Sequence, residues 1–222
     1  MHQLMMHRLV YVADPMCSWC YGFGPELSAV FDEIPGIGLE IVVGGLRAYN
    51  TQPMDERLKT TLRSHWQHVE EASGLGFSDA AITRAGFVYD TEPACRAVVT
   101  ARLLAPDLPP HAQLDVFHAI QRAFYAEGVD ITQGSVLADV ASAALTKQGV
   151  SIDAASFHAK WSDEAAIDAT RNDFARTRQW GISGFPAVLL ESGNVLSLVI
   201  SGYAKTATLL ERLRQLTAQS AA

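Results

Sequence analysis

Apolar and polar positions along this chain follow two different periods, and the switch between them divides the sequence. Leu9 to Ala13 (LVYVA) is a short apolar run rich in β-branched and aromatic residues, stopped by Pro15, and reads as a buried strand. Leu27, Val30, Phe31 and Ile34 then recur at helical spacing up to Pro35 and Gly36, which predicts a helix over residues 18–34 with Pro25 inside it. Leu39 to Val43 (LEIVV), ahead of Gly44 and Gly45, is a second buried strand. Strand, helix, strand in this order predicts a parallel pair joined by a right-handed crossover.

From Pro53 to Trp180 only helical stripes occur. Leu58, Leu62, Trp66 and Val69 mark one helix. Ala94, Ala97, Val98, Ala101 and Leu104 mark the next, with Thr91 as its expected cap and Pro93 tolerated in its first turn. Leu114, Phe117, Ile120 and Phe124 form a third stripe running to Gly128. A fourth opens at Ser135 and closes at Gly149; Asp153 to Trp161 and Asp163 to Trp180 are a fifth and a sixth.

Strand chemistry then returns. Ala187 to Leu190 and Val195 to Ile200 flank Glu191, Ser192, Gly193 and Asn194, a turn-rich stretch that reads as a β-hairpin. Leu209, Leu210, Leu213 and Leu216 place a last amphipathic helix over residues 206–217. The pattern is therefore β-α-β, a helical block, then β-β-α. Neither end piece can cover its own apolar strands, so the two must rejoin in one sheet. The expected division is 1–52 and 181–222 as the two parts of one α/β domain, with 53–180 as an all-helical insertion.

Composition narrows the function. A net charge of -7 leaves no basic footprint for nucleic acid or for an anionic membrane surface. The N-terminal MHQLMMHRLVYVADP has too short an apolar stretch for a secretory leader, and no run is long enough to cross a membrane, so the expected location is the cytoplasm. Three cysteines exclude an extracellular disulfide framework.

Two of those cysteines stand together in DPMCSWCYGFGP, residues 14–25, at the junction of the first strand and the first helix. Cys17 therefore sits at a helix N-terminus, where free N–H groups and the macrodipole favour negative charge. In a C-x-x-C motif such a position brings a thiol pKa from about 8.5 down to roughly 3.5–7.5. One turn on, Cys20 can attack a mixed disulfide formed at Cys17 and release the partner. Two readings compete. The pair could be two inert core thiols, or half of a zinc site, although structural zinc usually wants four ligands and there is no second C-x-x-C. The other candidates, Cys95, His65, His68, His111 and His118, are scattered along the helical block.

Those residues resemble the DsbA-like branch of the thioredoxin superfamily. The chain is most similar to the cytoplasmic FrnE-like group of expected protein disulfide isomerases, whose motif reads D-P-x-C-x-W-C-x-G-F. Pro25 falls five residues after Cys20, where that fold keeps a helix-kinking proline, and Gly184, Phe185 and Pro186 precede a strand where the family has its cis-proline. The resemblance implies a thioredoxin fold interrupted by a large helical insertion and a thiol–disulfide oxidoreductase. It further implies that the loop at Pro186 faces the cysteines, and that the Phe185 backbone pairs with an extended substrate.

On this reading Cys17 and Cys20 are catalytic, Trp19, Phe185 and Pro186 bind substrate, and Asp14 and Ser18 are modulators. Asp14 could accept protons during exchange, but capping the following turn is its simpler use. Ser18 and Trp19 replace the proline and histidine that DsbA has between its cysteines, and neither is cationic. The pair should then be a weaker oxidant than DsbA; about 30 mV corresponds to about 1.4 kcal/mol for this two-electron couple, so modest changes in thiolate stabilisation suffice to reverse the preferred flow. No cofactor or metal is expected, with glutathione as a possible co-substrate; the partners are protein or small-molecule disulfides and thiols. Cys95 reads as a small buried hydrophobe, unless the insertion caps the site and brings Cys95 or Arg96 to the partner. Two other functions fit the same architecture: a glutathione-dependent isomerase or transferase of the kappa or 2-hydroxychromene-2-carboxylate type, and a non-catalytic client-binding module.

Overall fold

A computed structural model describes residues 7–219; residues 1–6 and 220–222, at the ends of the first and last expected segments, lie outside it. The apolar run after His7 forms β1 (His7–Ala13), buried on both faces, which places it inside a sheet. It pairs in parallel with β2 (Gly38–Val43), Tyr11 opposite Ile41, and antiparallel with β3 (Ala187–Ser192), Tyr11 opposite Val188. β4 (Val195–Ser201) completes the order β2-β1-β3-β4. The β3–β4 turn is shorter than the sequence indicates. Ser192 pairs with Val195, leaving only Gly193 and Asn194 as the loop, and Gly193 takes the left-handed φ of +60° that a two-residue hairpin favours.

The strand-to-strand crossover is α1 (Ser18–Glu33), and α8 (Thr206–Gln219) follows β4. Between β2 and β3 lie α2 (Glu56–Ser73), α3 (Glu92–Leu104), α4 (Pro110–Tyr125), α5 (Gly134–Lys147), α6 (Ala154–Trp161) and α7 (Glu164–Gln179). Asp55 and Asp153 cap α2 and α6, accepting from Leu58 N and Ser156 N at 2.7 Å each. Thr91 holds the N-cap position of α3 but does not cap it. The Asp90 carboxylate takes Glu92 N at 3.0 Å, which leaves the Thr91 hydroxyl to accept Arg47 N at 3.2 Å.

Strand alternation sorts the core onto two faces. Leu9, Tyr11, Leu39, Ile41, Val188 and Leu190 meet Leu27, Phe31, Phe117 and Leu209 in the main cluster, whereas Val10, Val12, Val42, Ala187 and Leu189 pack with Trp180, Ile182 and Phe185 on the other side. β2 is an edge strand whose free polar groups are taken up by side chains. Asp173 Oδ2 accepts Val43 N at 3.2 Å, and Arg102 donates to Ile41 O at 2.6 Å while forking onto the Asp173 carboxylate at 2.9 and 3.1 Å. These bonds fix the point from which the chain leaves β2 toward the cysteines.

Candidate active site

β1 ends at Ala13, and the next three residues turn the chain into α1. Cys17 N donates to Asp14 O at 3.0 Å, Met16 N donates to Asp14 Oδ1 at 2.8 Å, and Cys17 is the N-cap of α1 in extended conformation (φ -93°, ψ 117°). Its carbonyl accepts Tyr21 N at 3.1 Å, and no acidic residue stands in the first turn. The Cys17 sulfur is thus at the positive end of the helix dipole without a competing carboxylate on the helix.

The two thiols differ in access. Cys17 is 7% exposed, Cys20 is sealed from solvent, and both are free thiols. Burial pushes the Cys20 thiol well up, and the hydrogen bond and negative charge of Cys17 act in the same direction. The Tyr11 hydroxyl donates to Cys20 O at 3.3 Å from beneath.

Opposite the pair, the Phe185–Pro186 bond is cis, and Cys17 Sγ donates to Phe185 O at 3.6 Å. The Phe185 ring lies against Gly44, where an added Cβ would stand 2.0 Å from the ring, so the glycine makes the room that the ring occupies. Trp19 is half-buried, its ring 5.4 Å from that of Tyr203, whose hydroxyl donates to Ala72 O at 3.1 Å. Ser18 is half-buried on the same turn.

Asp14 is completely buried beneath this turn. Besides Met16 N, its carboxylate accepts Leu46 N at 2.6 Å and the Cys95 thiol at 3.4 Å, both through Oδ2. Burial raises its pKa against the pull of those hydrogen bonds. Cys95 is therefore buried, but as a donor to the residue under the active turn rather than as plain packing. Arg96 pairs with Glu92 at 3.0 Å and lies 3.7 Å over the Trp161 ring.

Several residues at the site were not singled out in the sequence. The Tyr89 hydroxyl donates to Met16 O, next to Cys17, and approaches the Tyr125 hydroxyl at 3.5 Å. Leu46, Arg47 and Tyr49 lie on the loop that follows Gly44 and Gly45. The available signal was that glycine pair directly after a parallel strand, because ligands of open α/β sheets bind beyond the carboxyl ends of strands. Tyr89 carries no such mark. The histidines stay dispersed, with His111 beside Asp32 at 3.3 Å and His118 against Gly24; among the described residues no group of three or more His, Cys, Asp or Glu is gathered as a metal site would require.

Comparisons with known proteins bear on the family and the fold. The model of the DSBA-like thioredoxin domain matches residues 8–214. A solved structure of a candidate protein disulfide isomerase from Nitrosomonas europaea is 34% identical with a TM-score of 0.84, covering 96% of this chain and 98% of that one. The cytosolic disulfide reductase DsbM from Pseudomonas aeruginosa is 26% identical with a TM-score of 0.73, covering 97% and 100%. A 2-hydroxychromene-2-carboxylate isomerase shares the fold at 16% identity and a TM-score of 0.64, over 96% and 98% of the two chains. No curated protein matches the chain. The family model spans nearly the whole chain and the Nitrosomonas europaea structure shares a third of its residues: the chain belongs to the DSBA-like thioredoxin domain family of thiol–disulfide oxidoreductases.

Proposed function

We propose that the chain exchanges disulfides through Cys17 as nucleophile and Cys20 as resolving thiol. The observation that carries this reading is the asymmetry of the pair: Cys17 holds the N-cap position of α1 and is 7% exposed, and Cys20 is sealed one turn behind it. The Cys17 thiolate attacks a substrate disulfide, forming a mixed disulfide and expelling one thiolate. Cys20 then gives up its proton and attacks the Cys17 sulfur, which releases the second half of the substrate and leaves a Cys17–Cys20 disulfide. Because burial holds the Cys20 proton on, Cys20 does not compete for external disulfides. Run in reverse, the same steps donate the disulfide.

The bound substrate lies extended along the backbone of Phe185 and Pro186, with Trp19 beside it, as in strand addition to a sheet edge. Asp14 holds the turn that carries Cys17, and the Ser18 hydroxyl is a hydrogen-bond donor for the thiolate. Glutathione is the small-thiol co-substrate we favour; the Pseudomonas aeruginosa reductase has been solved with it. The cytosolic reductase also supports a cytoplasmic site of action. Among the described residues no helix is long and apolar enough to cross a membrane.

The test is equilibration of the protein with glutathione buffers followed by thiol trapping. A single two-electron transition between Cys17 and Cys20 supports the reading, and Cys20→Ser should accumulate a mixed disulfide at Cys17. If Cys20→Ser keeps full turnover with a glutathione-dependent isomerase substrate, the isomerase reading replaces it. If both thiols stay inert in the native protein, exchange at this site is ruled out.

A further inference from the structure

We infer that Arg47 anchors a carboxylate of the incoming disulfide, so that the site selects small anionic peptide disulfides of the glutathione type over neutral ones. The inference rests on the exchange reading above and names its substrate class.

Arg47 stands on the loop that leaves β2 toward Cys17, and that loop is held at every step. Gly44 N donates to Ala13 O at 2.8 Å, Leu46 N to Asp14 Oδ2 at 2.6 Å, Arg47 N to the Thr91 hydroxyl at 3.2 Å and Tyr49 N to Asp90 Oδ1 at 2.7 Å. Residues on either side of Arg47 are left-handed, Gly45 at φ +67° and Tyr49 at φ +66°. A tyrosine rarely adopts that conformation; here the Asp90 bond and an edge contact with the Phe174 ring at 6.2 Å keep it there. These bonds hold the loop backbone from which Arg47 projects.

The charge it presents is uncommitted. Arg8, Arg96, Arg102 and Arg176 are all paired with carboxylates, but among the described residues Arg47 has none within ion-pairing distance. The nearby acids are occupied: Asp14 is buried under its own donors, Asp90 accepts two backbone N–H groups, and Glu92 is paired with Arg96. The Arg47 guanidinium instead lies 5.6 Å from the centre of the Tyr89 ring, whose hydroxyl holds Met16 O beside Cys17. On a chain of net charge -7, this is a local cation next to the nucleophile's turn. Leu46 and Tyr49, 43% and 56% exposed on the same loop, offer apolar surface for the peptide backbone.

With glutathione disulfide the balance is complete. Cys17 takes one glutathione sulfur and expels the other glutathione as a thiolate. Cys20 then displaces the first, so two electrons and two protons pass from the protein dithiol to two glutathione thiols.

The experiment compares reduced wild-type protein, Arg47→Gln and Arg47→Lys on three disulfides: glutathione disulfide (anionic), 2-hydroxyethyl disulfide (neutral) and cystamine (cationic). Arg47→Gln should raise KM for glutathione disulfide about tenfold while changing kcat, and both constants for 2-hydroxyethyl disulfide, by less than about twofold. Arg47→Lys should recover part of the loss, and cystamine should be used better by the Gln variant than by wild type. Equal changes on all three disulfides, or none on glutathione disulfide, would overturn the Arg47 assignment and leave exchange intact. A wild-type protein that reduces none of the three removes the exchange reading itself, and the anchor with it.

Discussion

Asp14 Oδ2 accepts the Leu46 N–H at 2.6 Å, and through that bond the turn carrying Cys17 is tied to the loop carrying Arg47. The carboxylate is buried and also takes Met16 N and the Cys95 thiol. Asp14→Ala leaves the buried Met16 N–H and the half-buried Leu46 N–H without their acceptor and should lower the unfolding free energy by about 2–4 kcal/mol, read by urea denaturation.

The same residue sets a pH dependence. Its carboxyl pKa is raised by burial, so above the unfolded value of about 3.9 the native state holds a proton that the unfolded chain has lost. The stability Asp14 contributes is therefore full below about pH 3.9 and declines as pH rises through the native pKa. Asp14→Asn cannot titrate, so wild-type stability relative to this variant should fall with rising pH. A difference that instead grows with pH would mean that the hydrogen bonds outweigh burial and favour the ionised form.

Gly44 is the second point of contact between the loop and the site. Its missing Cβ is the space filled by the Phe185 ring, and Phe185 O faces Cys17 Sγ at 3.6 Å. Gly44→Ala should cost about 1–3 kcal/mol of stability through overpacking. By displacing the Phe185 backbone it should also slow disulfide exchange by about tenfold or more. Adding Phe185→Leu relieves the clash and should restore stability; rate and urea midpoint measured together on the double variant check the coupling.

Glu26 on α1 clamps the start of α8. Its carboxylate accepts Thr206 N at 2.8 Å and the Thr206 hydroxyl at 2.6 Å, and pairs with Lys205 at 2.9 Å. Burial alone would raise its pKa, but these donors outweigh it and hold the value near about 2. A depressed native pKa contributes stability above the unfolded value of about 4.3 that is lost as pH falls toward about 2. Glu26→Gln should destabilise at neutral pH and converge with wild type in that acid window, which thermal melts across pH 2–7 would follow.

His118 predicts a separate loss at milder acidity. Its ring lies against Gly24 with Nε2 buried and unpartnered among the described residues, and burial lowers its pKa to about 4, with Asp115 pulling weakly the other way. The unfolded chain takes up that proton near pH 6.5, so stability on the order of 3 kcal/mol should drain away between about pH 6.5 and 4. His118→Phe keeps the ring and removes the titration. Its unfolding free energy should be flatter than wild type across that range; parallel curves would show that another group carries the acid response.

Much of this is legible in the sequence. The strand at Leu9 to Ala13, the helix after Cys17 and the six helical stripes each carry a period that one segment sets for itself, and their limits agree with the structure to within a few residues. Where limits differ, a neighbour supplies the reason. Asp90 caps α3 in place of Thr91, and pairing of Ser192 with Val195 shortens the hairpin turn. Trp19 could be placed between the cysteines, but nothing local tells that Tyr203, 184 residues on, packs against it.

The sequence by itself determined what depends on local spacing: the strand-to-helix junction that makes Cys17 a helix cap, Cys20 one turn behind it, and Pro186 opening a strand. Only the tertiary structure decided what depends on which distant segments meet. Asp14 was readable as a turn cap but not as the buried link joining Leu46 and Cys95; Cys95 was readable as buried but not as a donor; Tyr89, Gly44 and Arg47 carried no chemistry of their own in the sequence. Hydrophobic periodicity states which face of a segment is buried and leaves open against what. The partner of a buried carboxylate, or the lack of one for a cation, is set when the sheet closes and the helical block folds over it.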